Sequence, residues 1–444
     1  MNNNQIRAEA KPSGPRILCI SPLFPPVVSS EAFCGGKLIS ALLGAGLDIS
    51  VLYCSNINGP KNIADHSSLW NSLAPVATDV VIPEEKNRLR SVLQAVQYQT
   101  YVYVRWIDEV LRVATRLHQE RKFDLVYSRS LPTVAHWAGY WCAKKLKLPW
   151  IVNINDPWDV FLFPGRRDIG GMSPYPALSS AWFRRTLRTA DLAVYPSERL
   201  HQYHNRIFKL DGPTAIIPHI AAASPTDSQS LEQPGAASFH LVHAGKLGTN
   251  EKPCRSSDAL LVGLRDFLQE NPAARPITKL TLVGPEDPTT QSLVESLDLQ
   301  SNVESVGQVS YEKSLRYIDS ASICVLVEAG FEEGIFLPSK LVDYIAARKP
   351  VLALSPRIGV VADLAARGGI ERVDPGAAEG VRAALCGLYS DFQQGTLPLR
   401  APGEDLARSF SAQNVVAGFF QALDRVLDPK KAHSHLRSLG ELAT

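Results

Sequence analysis

The stretch Glu333-Gly334-Ile335-Phe336-Leu337-Pro338-Ser339-Lys340-Leu341-Val342-Asp343-Tyr344, continuing from Ile345 to Val351, gathers two acids and a lysine around a helix start. Pro338 has a fixed φ and no N–H, which suits a first helical turn, so a helix is predicted from there to about Arg348. Lys340 then sits where the helix dipole disfavours a cation, and an anion at the same end, such as a diphosphate, offsets the conflict. Asp343 follows on the Lys340 face, whereas Leu341, Tyr344 and Ile345 form the opposite, core-facing stripe.

A chain of 444 residues is long for one core and fits two units of roughly 200 residues each. With 45% hydrophobic and 20% charged residues and a net charge of +2, bulk charge gives no support for nucleic-acid binding. The seven cysteines are odd in number, lack CxxC spacing and sit mostly in apolar runs, so they read as reduced core residues of a cytoplasmic protein. Residues 1–15 are polar and read as a disordered N-terminus. No later run has the apolar length of a membrane span.

Short apolar runs alternate with helical patterns: strands at 16–21 and 49–54 flank a helix from about Cys34 to Ala45. Strands at 125–128, 150–154 and 192–195 alternate with helices at 133–145 and 177–189, which predicts a parallel sheet. The segment 222–238, rich in Ser, Pro, Gln and Ala without apolar periodicity, reads as a linker. Beyond it, strands at 239–243, 279–283, 303–306, 323–327 and 351–354 predict a second α/β unit. The expected organisation is therefore an N-terminal Rossmann-like domain at 16–221, a linker at 222–238, a C-terminal Rossmann-like domain at 239–410, and a terminal helix and tail at 411–444. Two Rossmann-like domains would face a central cleft.

Chemistry concentrates at strand ends. Gly245-Lys246-Leu247 closes one strand with a cation beside a glycine, where it can neutralise a departing diphosphate. Lys252 and Arg255 follow in a polar loop and individually read as solvated charges. Gly284 ends a second strand, either against a ligand or simply in a turn. Gly35 and Gly36 open the first helix, allowing close approach of a phosphate or acceptor, or else a tight turn. Asn155 and Asp156 follow a strand, and Asp156 before Pro157 can start a turn or cap a helix. Tyr98, Tyr101, Tyr103, Arg105 and Trp106, and the basic run Trp182-Phe183-Arg184-Arg185 with Arg188, are either core or contacts at a membrane surface. No D-x-D tripeptide and no metal-ligand spacing occurs, so no metal is expected and protein cations must serve the diphosphate.

The second half resembles the retaining glycosyltransferases of GT-B fold, the glycosyl transferases group 1 family. The matching elements are Gly245-Lys246-Leu247, Lys252, Leu282-Val283-Gly284, Glu333 to Pro338, Asp343, and Ala347-Arg348-Lys349-Pro350-Val351, in order. The resemblance implies that Lys246 and Lys252 neutralise the nucleotide diphosphate, that Glu333 faces the donor sugar and that Asp343 binds the ribose hydroxyls. It makes Glu333, Lys246 and Asp156 the candidate catalytic residues. The implied donor site adds Gly245, Gly284, Leu337, Pro338, Ser339, Lys340 and Leu341, with Gly35, Gly36 and Asn155 on the phosphate and acceptor side. The family's acids are usually glutamates with seven residues between, here nine, and Arg348 stands where a glycine is usual. The Pro338-Ser339-Lys340-Leu341 context resembles a subgroup acting in bacterial surface polysaccharide assembly.

The implied activity is sugar transfer from a nucleotide-diphosphate sugar to a hydroxyl on a glycan or lipid-linked acceptor, with retention. It requires no cofactor, because the nucleotide sugar is a substrate. The implied place is the cytoplasm, with peripheral contact at the inner face of a membrane. Two alternatives stand beside it: a sugar-nucleotide epimerase on the same fold, and an inactive GT-B scaffold that binds a biosynthetic partner.

Overall fold

The structure is a computed structural model and describes residues 14–57, 68–83, 104–130, 132–157, 184–209, 212–222, 238–248 and 255–427. Lys252, Tyr98, Tyr101, Tyr103, Trp182 and Phe183, and most of the N-terminal, linker and tail segments, lie outside the described residues.

Seven strands form the first sheet: β1 (Arg16–Ile20), β2 (Asp48–Tyr53), β3 (Ala77–Asp79), β4 (Leu125–Arg129), β5 (Trp150–Asn153), β6 (Leu192–Tyr195) and β7 (Thr214–Ile216). They pair in parallel in the order β3-β2-β1-β4-β5-β6-β7. The later strands are β8 (Phe239–Ala244), β9 (Thr278–Val283), β10 (Val303–Gly307), β11 (Ile323–Val327), β12 (Glu333–Gly334), β13 (Val351–Leu354), β14 (Ile358–Gly359) and β15 (Ile370–Val373). Six of them make a second parallel sheet in the order β10-β9-β8-β11-β13-β15, and β12 pairs with β14 alone. Central strands such as β4, β8 and β11 are buried along their whole length, which is why they read as unbroken apolar runs rather than alternating ones.

Each sheet reverses its direction of growth once, between β1 and β4 and again between β8 and β11. Loops leaving the carboxyl ends of such a strand pair diverge to opposite faces and open a crevice. The four strand ends therefore mark where chemistry belongs.

The terminal helix Ala412–Val426 packs back onto the first sheet. Its Val415, Phe419 and Leu423 join one core cluster with Ile17, Leu38, Val51 and Leu125, and the Phe419 ring meets Tyr127 edge-on at 5.2 Å. Phe419→Ala should cost ~3–5 kcal/mol, as a fully buried ring does, and equilibrium unfolding should show the loss in probes of the first sheet. The second domain reciprocates, because Ile335 and Phe336 pack into the first domain's other core cluster. Among the described residues no helix is long and apolar enough to cross a membrane.

Candidate active site

On the second sheet the site is built from strand ends outward. The helix Ser339–Ala346 starts after Pro338, and its Leu341, Val342, Tyr344 and Ile345 are fully buried. Tyr344 fixes it at the switch point: its hydroxyl accepts from Ala244 N at the end of β8 (2.9 Å) and donates to Val325 O in β11 (3.4 Å). Lys340 is thereby laid across Gly245. A Cβ on Gly245 would fall 1.3 Å from Lys340 Nζ, and Gly245 itself has φ +142°. Gly284 is as constrained, since a Cβ there would lie 2.3 Å from Gly245 O. Both strand-end glycines are thus required by close approach.

Lys340 is partly exposed as a residue, yet its ammonium is densely surrounded. Burial, and secondarily the Arg255 guanidinium, push its pKa down to about 7. Among the described residues no acid pairs with it, so the cation is held ready for an anion that the protein does not supply. Lys246 lies exposed at the end of β8. Arg255, which in sequence reads as a solvated charge, acts on Lys340, His243, Glu328 and, across the cleft, Asp156. Beside Gly245 and Gly284, a cleft of about 240 Å³ continues along Pro285, Thr290 and Ser305.

Leu337 and Leu341 are core residues, at 5% and 0% exposure, so their side chains support the turn from beneath instead of touching a donor. The acid Glu328, which the motif reading passes over, directly follows β11. It is buried and its carboxyl is raised to about 7 by desolvation, against a hydrogen bond donated by Ser355 Oγ at 2.5 Å. The rule that functional groups cluster at strand carboxyl ends points to it. Glu333 stands on β12, half-buried, where Arg199 Nη1 donates to Oε1 at 3.3 Å and Arg206 Nη2 lies 3.5 Å from Oε2. Arg199 also grips Asp363 through two bonds of 2.7 Å.

Asp343 is not on an open polar face. It is 7% exposed, and its carboxylate accepts from Lys37 Nζ (2.8 Å), Ala222 N (2.9 Å) and Tyr311 OH (3.0 Å). Lys37 comes from the first domain, 306 positions away, which no helical spacing reveals.

On the first sheet the helix containing Gly35 and Gly36 starts at Ser30, capped by Ser29 Oγ, so the glycine pair lies inside the helix and not at its opening. Gly36 faces Pro25, Leu69 and Leu73, where a Cβ would come within 2.9 Å of the proline ring, and so serves packing. Gly35 faces Arg129, whose Nε would lie 3.4 Å from an added Cβ. Arg129, buried at the end of β4, donates to Glu31 Oε1 (3.2 Å), and Asn155 donates to the same oxygen and to Ser130 O (2.9 Å). Asn155 is therefore committed to holding Glu31 and the β4 end, not free for a phosphate. Burial outweighs Arg129 and raises Glu31 to about 8. His219 is pushed down to about 4 by burial, and the Asp156 carboxyl is raised by burial against His219 and Arg255. Asp156 so stands at the cleft, between a histidine of its own domain and an arginine of the other. Among the described residues no group of His, Cys, Asp and Glu is arranged to hold a metal ion.

Residues 37–218 match the family described as the glycosyl transferase 4-like domain. By fold, the chain resembles sucrose-phosphate synthase from Thermosynechococcus elongatus, with TM-score 0.63 and 15% identity over 93% of this chain and 98% of that one. It is equally similar to HepE from Anabaena in complex with UDP and glucose, at TM-score 0.63 and 15% identity over 92% and 99%. The fold is GT-B, two Rossmann-like domains. A putative UDP-N-acetylglucosamine 2-epimerase from Listeria monocytogenes shares it at TM-score 0.57 and 11% identity, over 94% of this chain and 99% of that one. No curated protein matches the chain by sequence. In GT-B terms, the cations and glycines of the second sheet face the Glu31, Arg129 and Asp156 group of the first.

Proposed function

We propose that the chain transfers a sugar from a nucleotide-diphosphate sugar to a hydroxyl of a glycan or lipid-linked acceptor, with retention, in bacterial surface polysaccharide or glycoconjugate assembly at the cytoplasmic side of a membrane. The observation that carries this reading is Lys340, an enclosed cation without an acidic partner among the described residues, laid over Gly245 at the switch point of the second sheet with Arg255 in range. The HepE structures bound to UDP and to UDP-glucose support a nucleotide-sugar donor for this fold. In the step, the bond from the anomeric carbon to the diphosphate oxygen breaks and a bond to the acceptor oxygen forms. The acceptor proton leaves with the diphosphate. Lys340, Arg255 and Lys246 stabilise the charge that develops on the leaving oxygens, with no cofactor or metal needed. Glu333 is oriented by Arg199 and Arg206 toward the donor sugar, and Asp156 meets it from the acceptor side.

A thermal-shift panel of UDP, GDP, ADP and dTDP, each with its common sugars, tests the reading. One nucleotide series should raise Tm by several degrees, since a ligand that binds only the native state stabilises it by mass action. Stabilisation by none would leave an inactive scaffold. Conversion of the donor alone, without acceptor, would make the protein an epimerase.

A further inference from the structure

Both acids assigned to the donor are held by cations of the first domain: Asp343 by Lys37, and Glu333 by Arg199 and Arg206. The two contacts differ in kind. The Lys37 and Asp343 side chains are 8% and 6% exposed, whereas Arg199 and Glu333 are 30% and 29% exposed and remain exchangeable with water. Around the buried pair, Phe33 stacks on Tyr311 with ring centroids 4.6 Å apart, and Lys37 Nζ lies 5.5 Å from the Tyr311 ring centre.

A carboxylate offers about two acceptor sites on each oxygen. Asp343 Oδ1 already accepts from Lys37 Nζ and Ala222 N, so it is full, while Oδ2 accepts from Tyr311 OH and, among the described residues, keeps one site. A vicinal diol donates one hydroxyl to each carboxylate oxygen, and therefore needs a site cleared on Oδ1. Ala222 is a backbone donor beside Ala221, whose N–H is bonded to Phe410 O at 2.9 Å. Lys37 stands on a flexible stem, and is the donor on Oδ1 that can withdraw without displacing backbone.

We infer that Lys37 is a latch: it occupies on Asp343 the position that a vicinal diol of the donor takes, so that donor binding and release of Lys37 are one event. The inference rests on the reading of Asp343 as part of the proposed donor site. Donor affinity is then reduced by the strength of an interdomain ion pair.

The test is calorimetric titration of the full chain, its Lys37→Met and Lys37→Gln variants and Asp343→Asn with UDP, GDP and ADP, each of which carries a ribose vicinal diol. Circular dichroism checks folding first, because Met leaves the buried Asp343 without a counter-ion, and Gln retains a neutral donor if Met does not fold. The nucleotide that binds the wild-type chain should bind the Lys37 variants at least about fivefold tighter, as expected for a coupled equilibrium, and should be lost in Asp343→Asn. Unchanged affinity in the Lys37 variants would overturn the latch, and weaker affinity would make Lys37 a donor ligand instead. Binding of no nucleotide to any form would remove the donor site itself, a failure visible in the wild-type chain alone.

Discussion

Lys340→Met will lower the transfer rate about a hundredfold or more, the scale at which a charge-stabilising group aimed at a developing anion is worth its loss. Methionine keeps the unbranched stem and removes only the cation, so the fold should survive and the deficit should appear in kcat. Gly245→Ala should reproduce it from the opposite side, because the new methyl would fall 1.3 Å from Nζ and displace the ammonium. Cys386→Ser, on the helix Ala378–Gln393 beside Asn271, should leave the rate unchanged. The same lysine sets a pH dependence. Its pKa of about 7 without ligand means that the charged form prevails below neutrality and is depleted above it. Diphosphate affinity should therefore be strongest below pH 7 and weaken as pH rises through that value, with the slope absent in Lys340→Met. A flat wild-type profile would remove Lys340 from the diphosphate.

The second large effect is on stability. Asp343→Ala strands Lys37, 8% exposed, without its counter-ion and leaves the Tyr311 hydroxyl and Ala222 N–H without an acceptor. Removing one partner of a buried pair costs about 3–5 kcal/mol, because the remaining charge stays desolvated. Glu333→Ala breaks pairs that water already reaches, and should cost about 0–1 kcal/mol. Urea unfolding should separate the two variants clearly, and equal midpoints would show that the Lys37 and Asp343 pair is not the buried contact described.

Sequence pattern exposes what is local and hides what is distant. The buried strands β1, β4, β8 and β11 are legible because both faces demand apolar residues, and the glycines closing β8 and β9 stand where the strands stop. Edge strands β3 and β7 have three residues each and no fully buried position, so neither run nor alternation marks them. Gly35 and Gly36 look like a helix opening because glycine is a poor helix former, yet tight packing on Pro25 and Arg129 places them inside one. Lys340 is legible from the helix start alone. Glu31, Arg129 and the true setting of Asp343 are not, since each depends on a partner brought in by the topology from far along the chain.

The docking of the helix Ala412–Val426 onto the first sheet has a consequence for how the chain is made. Synthesis delivers all seven strands of that sheet long before the segment that covers one of its apolar faces. Until Val415, Phe419 and Leu423 arrive, Ile17, Val51 and Leu125 are exposed to water and to neighbouring nascent chains. The first domain begins to fold early but finishes last, and its vulnerable interval is set by the time taken to translate the second.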